Sequence, residues 1–200
     1  MLTRIKPWYD QTIEKYLVIF QHIHPNWLTL AGIIPAVIFF FALQRQQNWL
    51  AAVALIGLLF DSIDGAVARK YGKTSLFGGV LDSTLDRFVD ALLTWSFVQA
   101  EVLAHQLGIA IVTAAFTTSY LRSRGGLALG DDRVLAVGIA ERTERTVLLG
   151  LAFLTNWIFP QAFIWSWSVT TWVFLLLLAV SVITVFQRFF VIWQHSQPKK

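Results

Sequence analysis

The sequence predicts an all-α membrane protein, with six transmembrane helices preceded by an amphipathic helix on the membrane surface. Three observations carry that reading. Of the 200 residues, 56% are apolar and only 14% charged, whereas about a quarter of an average soluble domain is charged. The mean hydropathy is +0.60. The apolar residues gather in runs near the ~20 residues that a helix needs to cross a bilayer. This composition excludes an ordinary soluble enzyme and leaves little chain for a second domain, so 1–200 reads as a single membrane domain. The chain has no cysteine, hence no disulfide and no thiolate metal site. Its net charge of +4 is not a nucleic-acid signal, because the basic residues stand at the ends of hydrophobic runs. Nucleic acid is therefore not an expected partner.

Residues 3–20 come first. Ile5, Trp8, Tyr9, Ile13, Tyr16, Leu17 and Phe20 recur at three- and four-residue spacing, with Arg4, Lys6, Asp10, Glu14 and Lys15 largely between them. That pattern predicts an interfacial helix. It has no early apolar core and no small-residue cleavage site, so it does not read as a signal peptide. Six hydrophobic segments follow, at 27–44, 48–69, 76–101, 105–124, 144–165 and 167–193, forming a core over 27–193. The breaks at Gln44–Asn48, Glu101–His105 and Phe159–Gln161 predict tight turns on one side of the membrane.

Charge sets the orientation. Of sixteen Lys and Arg, only Arg45 lies at a turn on that first side. Arg4, Lys6, Lys15, Arg69, Lys70, Lys73, Arg122, Arg124, Arg133, Arg142, Arg145, Lys199 and Lys200 fall on the other. By the positive-inside rule the second side is cytoplasmic, which predicts a multi-pass protein of the cell membrane with both termini in the cytoplasm. The nine tryptophans suit membrane interfaces.

Five of the twelve acidic residues, Asp61, Asp64, Asp82, Asp86 and Asp90, sit inside the second and third segments. A carboxylate near the bilayer centre costs a few kcal/mol, and so short a side chain cannot snorkel. Asp61 and Asp64 are three apart, while Asp82, Asp86 and Asp90 step by four, so each set lines one helix face. The short link between the segments makes the two helices antiparallel neighbours. Clustered hard oxygen ligands without Cys or nearby His favour Mg²⁺ or Mn²⁺ over zinc, and four negative charges suit two ions better than one. A proton relay or cation path would use such acids too.

The residues between the acids narrow the choice. The stretch reads Asp61-Ser-Ile-Asp64-Gly65-Ala-Val-Ala68-Arg69, eight residues, Gly78, three residues, Asp82, three residues, Asp86. Gly65 and Ala68 remove bulk beside the acids, Arg69 offers a phosphate-binding guanidinium, and Gly78 opens space on the facing helix. An ion path needs the acids but not this combination.

The stretch resembles the signature of the CDP-alcohol phosphatidyltransferase family at all eight fixed positions over twenty-six residues. The family's six-helix topology extends the resemblance over nearly the whole chain. It implies transfer of a phosphatidyl-type group from a CDP-linked lipid to an alcohol, with release of CMP, and a homodimer. It further implies that Asp61, Asp64, Asp82 and Asp86 hold two divalent ions, that Asp86 deprotonates the incoming hydroxyl, and that Gly65, Ala68, Arg69 and Gly78 contact the CDP-lipid. Pro25-Asn26-Trp27-Leu28-Thr29 resembles the family's Pro-Asn-x-x-Thr entrance near the nucleotide; Pro25, Asn26 and Thr29 also serve as a helix start. Ser75 resembles a hydroxyl position on the CDP-lipid phosphates, and helix capping explains it equally well. Asp90 lies outside the signature, with Arg87 or another basic group as its partner or substrate within its reach.

The acceptor is read from arginines at the cytoplasmic helix ends: Arg122 and Arg124 in Tyr120-Leu-Arg-Ser-Arg, Arg142 and Arg145 in Glu141-Arg-Thr-Glu-Arg, and Arg188 in Gln187-Arg-Phe. Basic helix ends are also the default membrane pattern. Arginines from three helices at one level suit a phosphorylated, anionic acceptor. These runs resemble those of prokaryotic phosphatidylinositol phosphate and archaetidylinositol phosphate synthases, which implies inositol 1-phosphate. Gly125-Gly126 depart from the Ala-Glu that the subgroup carries there, and glycerol 3-phosphate is the rival acceptor. From other functional classes, a divalent-cation transporter would use the same carboxylates, and a membrane scaffold would retain the fold without chemistry.

Overall fold

Pro25 opens the first helix because its missing N–H is one a first turn leaves unpaired and its φ is already helical. In the computed structural model, which describes residues 17–58, 63–161 and 163–196, this helix is α1 (Pro25–Ala31) and continues as α2 (Ile33–Gln44). Gly32 joins them in right-handed helical conformation, and its N–H donates to Leu28 O at 3.0 Å. Gln46, at φ 56°, reverses the chain into α3 (Asn48–Leu58), which packs along α2. Ala36, Phe39, Ala42, Ala51 and Ala54 are buried there. Next come α4 (Ile63–Lys70), α5 (Leu76–Gln99), α6 (His105–Leu129), α7 (Arg142–Ile158), a two-stranded hairpin and α8 (Val169–Ser196).

The chain divides into two compact units, one ending at Val89 and the other beginning at Asp90. In the second, α8 packs against α6 and α7. Ile111, Ala115, Ala152, Phe153 and Leu177 are buried, and the Phe97 and Phe174 rings meet edge to face at 5.1 Å.

The architecture is that of a helical membrane protein. Among the described residues, three stretches, Pro25–Gln44, Asn48–Lys70 and Val169–Ser196, are long and apolar enough to span a bilayer. α5 and α6 reach 24 and 25 residues, but Asp82, Asp86, Arg87 and Asp90 interrupt the apolar run of α5. The interfacial segment 3–20 lies outside the described residues up to residue 16; Leu17–Phe20 forms a 3₁₀ turn with Leu17 buried.

Two predicted boundaries move. The sequence predicts a fifth segment reaching 165, but α7 stops at Ile158. Pro160 disfavours helical backbone at residue 159 and has no N–H to continue the ladder. The following residues make β1 (Phe163–Ile164) and β2 (Trp167–Ser168), antiparallel, with Phe163 opposite Ser168 and Ile164 opposite Trp167. The fourth segment extends past 124 to Leu129, where Gly130 at φ 73° terminates it in left-handed conformation.

Candidate active site

In the first unit, three helix ends meet around one cavity. The ring Nδ1 of His24 accepts the Asn26 N–H at 3.3 Å, capping α1. α4 ends in a Schellman-type turn: Gly72 takes φ 63° and the Lys73 N–H donates to Ala68 O at 2.9 Å. Ser75 then caps α5, its Oγ accepting the Gly78 N–H at 2.9 Å. These turns enclose a cavity of about 180 Å³.

Every residue expected on the CDP-lipid lines that cavity: Pro25, Asn26 and Thr29 from α1, Gly65, Ala68 and Arg69 from α4, and Ser75 and Gly78 at the start of α5. Asp64 and Asp82 line it too. A Cβ on Gly78 would stand 3.0 Å from Ser75 Oγ and 3.2 Å from Asn26 Oδ1, and one on Gly65 would meet Arg69 Nη1 at 3.2 Å. Both glycines therefore keep polar groups accessible. Among the described residues the Arg69 guanidinium has no hydrogen-bond or ion-pair partner.

Asp64 is buried, and both its oxygens accept hydrogen bonds, Oδ2 from Thr29 Oγ1 at 2.5 Å and Oδ1 from the Gly65 N–H at 2.5 Å. Thr29 Oγ1 also lies 3.1 Å from Pro25 O, but its single proton serves one acceptor at a time. These two donors fix the orientation of the Asp64 carboxylate. Asp86 stands one turn beyond Asp82 on α5, outside the cavity lining, with Arg87 Nη1 at 3.5 Å from its Oδ2. Asp61 lies outside the described residues. Among those described, no three acidic or histidine side chains make a ready metal-binding group. By type, the carboxylates Asp64 and Asp82 on one cavity fit a hard divalent cation.

Lys73, Thr74 and Gly79 also line the cavity, and the sequence reading passed over them. They fall in the signature's unspecified interval. For Lys73, a second cation four residues after Arg69 was the available signal. Its Nζ donates to Gln21 O at 2.6 Å.

The acceptor candidates lie in the second unit and separate into two groups. Arg124 is exposed and Arg142 half-buried at the start of α7. Arg122 Nη1 lies 3.9 Å from Glu141 Oε1 with both side chains partly exposed, a contact of little energetic weight. Arg145 and Arg188 are buried, 5% and 3% exposed. Arg145 pairs with Asp90 Oδ2 at 2.7 Å, which identifies the basic partner of that carboxylate. Arg188 donates from Nε to Val137 O at 3.0 Å and from Nη1 to Thr118 O at 2.5 Å.

Against known families, residues 22–183 match the model of the CDP-alcohol phosphatidyltransferases. Archaetidylinositol phosphate synthase of Pyrococcus horikoshii is 35% identical over 159 residues, which cover 78% of this chain and 84% of the relative. Phosphatidylinositol phosphate synthase of Mycolicibacterium smegmatis is 38% identical over 178 residues, covering 82% and 75%. The fold resembles that of Mycobacterium tuberculosis phosphatidylinositol phosphate synthase in its crystal structure with CDP-DAG bound. The TM-score is 0.71 at 22% identity, over 98% of this chain and 99% of that one. The same enzyme in complex with manganese and citrate gives 0.69 at 24% identity, over 96% and 92%.

Proposed function

As the chain belongs to the CDP-alcohol phosphatidyltransferase family, we propose that it transfers the phosphatidyl-type group of a CDP-linked lipid to inositol 1-phosphate and releases CMP. It is a membrane transferase of phospholipid biosynthesis. The finer reading rests on one observation above the others: all eight residues assigned to the CDP-lipid, together with Asp64 and Asp82, line a single cavity. The names of the relatives, inositol phosphate lipid synthases, support the acceptor.

In this reading Asn26, Arg69 and Ser75 receive the nucleotide and diphosphate, and Gly65, Ala68 and Gly78 leave room for it. The acceptor hydroxyl oxygen bonds to the lipid-bearing phosphorus, Asp86 takes its proton, and the P–O bond to CMP breaks. Asp61, Asp64, Asp82 and Asp86 would hold the divalent metal, as two Mg²⁺ or Mn²⁺ ions. Bound metal neutralises phosphate charge and acidifies a hydroxyl. A neighbour of this fold was crystallised with manganese, which supports that assignment. Thr29 and the Gly65 N–H keep Asp64 turned toward the cavity.

Arg122, Arg124 and Arg142 bind the acceptor phosphate, while Arg145 and Arg188, engaged inside the second unit, belong to the framework behind them. Six spans, cytoplasmic termini, one domain over 1–200 and a homodimer complete the proposal. The family match over 22–183 supports the single domain. Asp86→Ala tests the assigned base. CMP release should fall at least about a hundredfold, the scale of a lost general base, while the protein stays folded by circular dichroism. Near-normal turnover would remove Asp86 from that role.

A further inference from the structure

The loop between α6 and α7 is fastened by side chains rather than by backbone ladders. Ala140 is fully buried, and both of its backbone groups are taken by helices. Its N–H, and that of Ile139, donate to Thr184 Oγ1 of α8 at 2.9 and 3.1 Å. Its carbonyl accepts from Arg145 Nη1 of α7 at 3.1 Å. Arg145 is itself fixed by Asp90, whose Oδ2 accepts from Nε at 3.2 Å and Nη2 at 2.7 Å. Nη1 also reaches Thr118 Oγ1 at 3.3 Å. Every described polar contact of the Arg145 guanidinium is thus internal, and the two residues that follow Ala140 are Glu141 and Arg142.

From this geometry we infer that Asp90 and Arg145 form a positioning pair for acceptor binding. The pair clamps Ala140 and so sets where Arg142, two residues on, stands. The inference rests on the reading that Arg122 and Arg142 bind the acceptor phosphate. A buried ion pair is a weak source of net stability, but losing one partner strands a buried charge. Asp90 Oδ1 is buried without a hydrogen bond among the described residues, so the carboxylate is not arranged for maximal pairing. Its two bonds instead hold the guanidinium in the one orientation that reaches Ala140. Orientation of a binding group is worth large factors in catalysis, and a clamp acting on one substrate's ligands affects that substrate alone.

The test compares Asp90→Asn, Thr184→Val and Arg142→Ala with the parent protein in lipid nanodiscs. Steady-state CMP release is measured against inositol 1-phosphate and against CDP-diacylglycerol, together with amide exchange of Ile139 and Ala140. Asp90→Asn and Thr184→Val should raise the acceptor KM tenfold or more, leave the CDP-lipid KM within twofold, and speed exchange at both amides. Asp90→Glu should recover part of the acceptor KM. If Asp90→Asn does not fold, Thr184→Val, which keeps side-chain shape, carries the test. Faster exchange with an unchanged acceptor KM, or equal rises in both KM values, would overturn the clamp while Arg142→Ala still weakens the acceptor. If Arg142→Ala leaves the acceptor KM unchanged, the acceptor site itself is misplaced and the clamp's role falls with it.

Discussion

Lys73 shows how much one side chain outside a recognised pattern can matter. It sits in the turn after α4, on the wall of the cavity that also holds Arg69, and Gln21 O accepts from its ammonium. An ammonium beside a diphosphate gains a charge-assisted hydrogen bond, a contact of about 1.5–3 kcal/mol. Lys73→Ala should therefore raise the CDP-lipid KM about tenfold and leave the acceptor KM unchanged, as measured by CMP release under saturation with the other substrate. The signature acids and small residues were legible in the chain because the chemistry fixes both their type and their spacing. Lys73 was not, because a loop cation at that position is unconstrained by helix periodicity. Nor was the pairing of Asp90 with Arg145, a contact across 55 positions in sequence. Asp90 and Arg87 are neighbours on one helix, whereas only the fold brings α7 to Asp90.

At the scale of elements, turn chemistry explains where reading by periodicity succeeded and where it failed. The starts of α1, α5 and α6 were legible because Pro25, Ser75 and a polar break announce them. The end of α7 was set by Pro160, and the tryptophan-rich hairpin after it has no alternating pattern long enough to betray a strand. The loop after α6 owes its path to glycines. Gly138 has φ 127°, and a Cβ there would run into Thr184 Cγ2. A Cβ on Gly125 would meet Leu135 Cδ1 at 2.5 Å and Ile192 Cδ1 at 2.7 Å. The departure from Ala at 125 therefore has a packing cause: the loop's leucine occupies the space a side chain would need. Gly138→Ala should cost about 1–3 kcal/mol, read as a lower unfolding midpoint in denaturant. An unchanged midpoint would mean the loop relaxes freely about Thr184.

Over the whole molecule, composition declared a membrane protein and the motif declared its chemistry, whereas the number of spans rests on the hydrophobic segments and their direction on charge asymmetry alone. The absence of cysteine makes the direction accessible. With single cysteines at Trp165 and Lys200, a membrane-impermeant maleimide added to intact cells should label Trp165→Cys and spare Lys200→Cys. The reverse pattern would invert the topology. The central claim is that one cavity activates a CDP-lipid for a phosphorylated polyol. Its most direct test offers the purified protein CDP-diacylglycerol and Mg²⁺ with equimolar inositol 1-phosphate and glycerol 3-phosphate, and identifies the lipid product by mass spectrometry. The predicted result is phosphatidylinositol phosphate formed in step with CMP; a glycerophosphate lipid as the main product, or CMP without any new lipid, would contradict it.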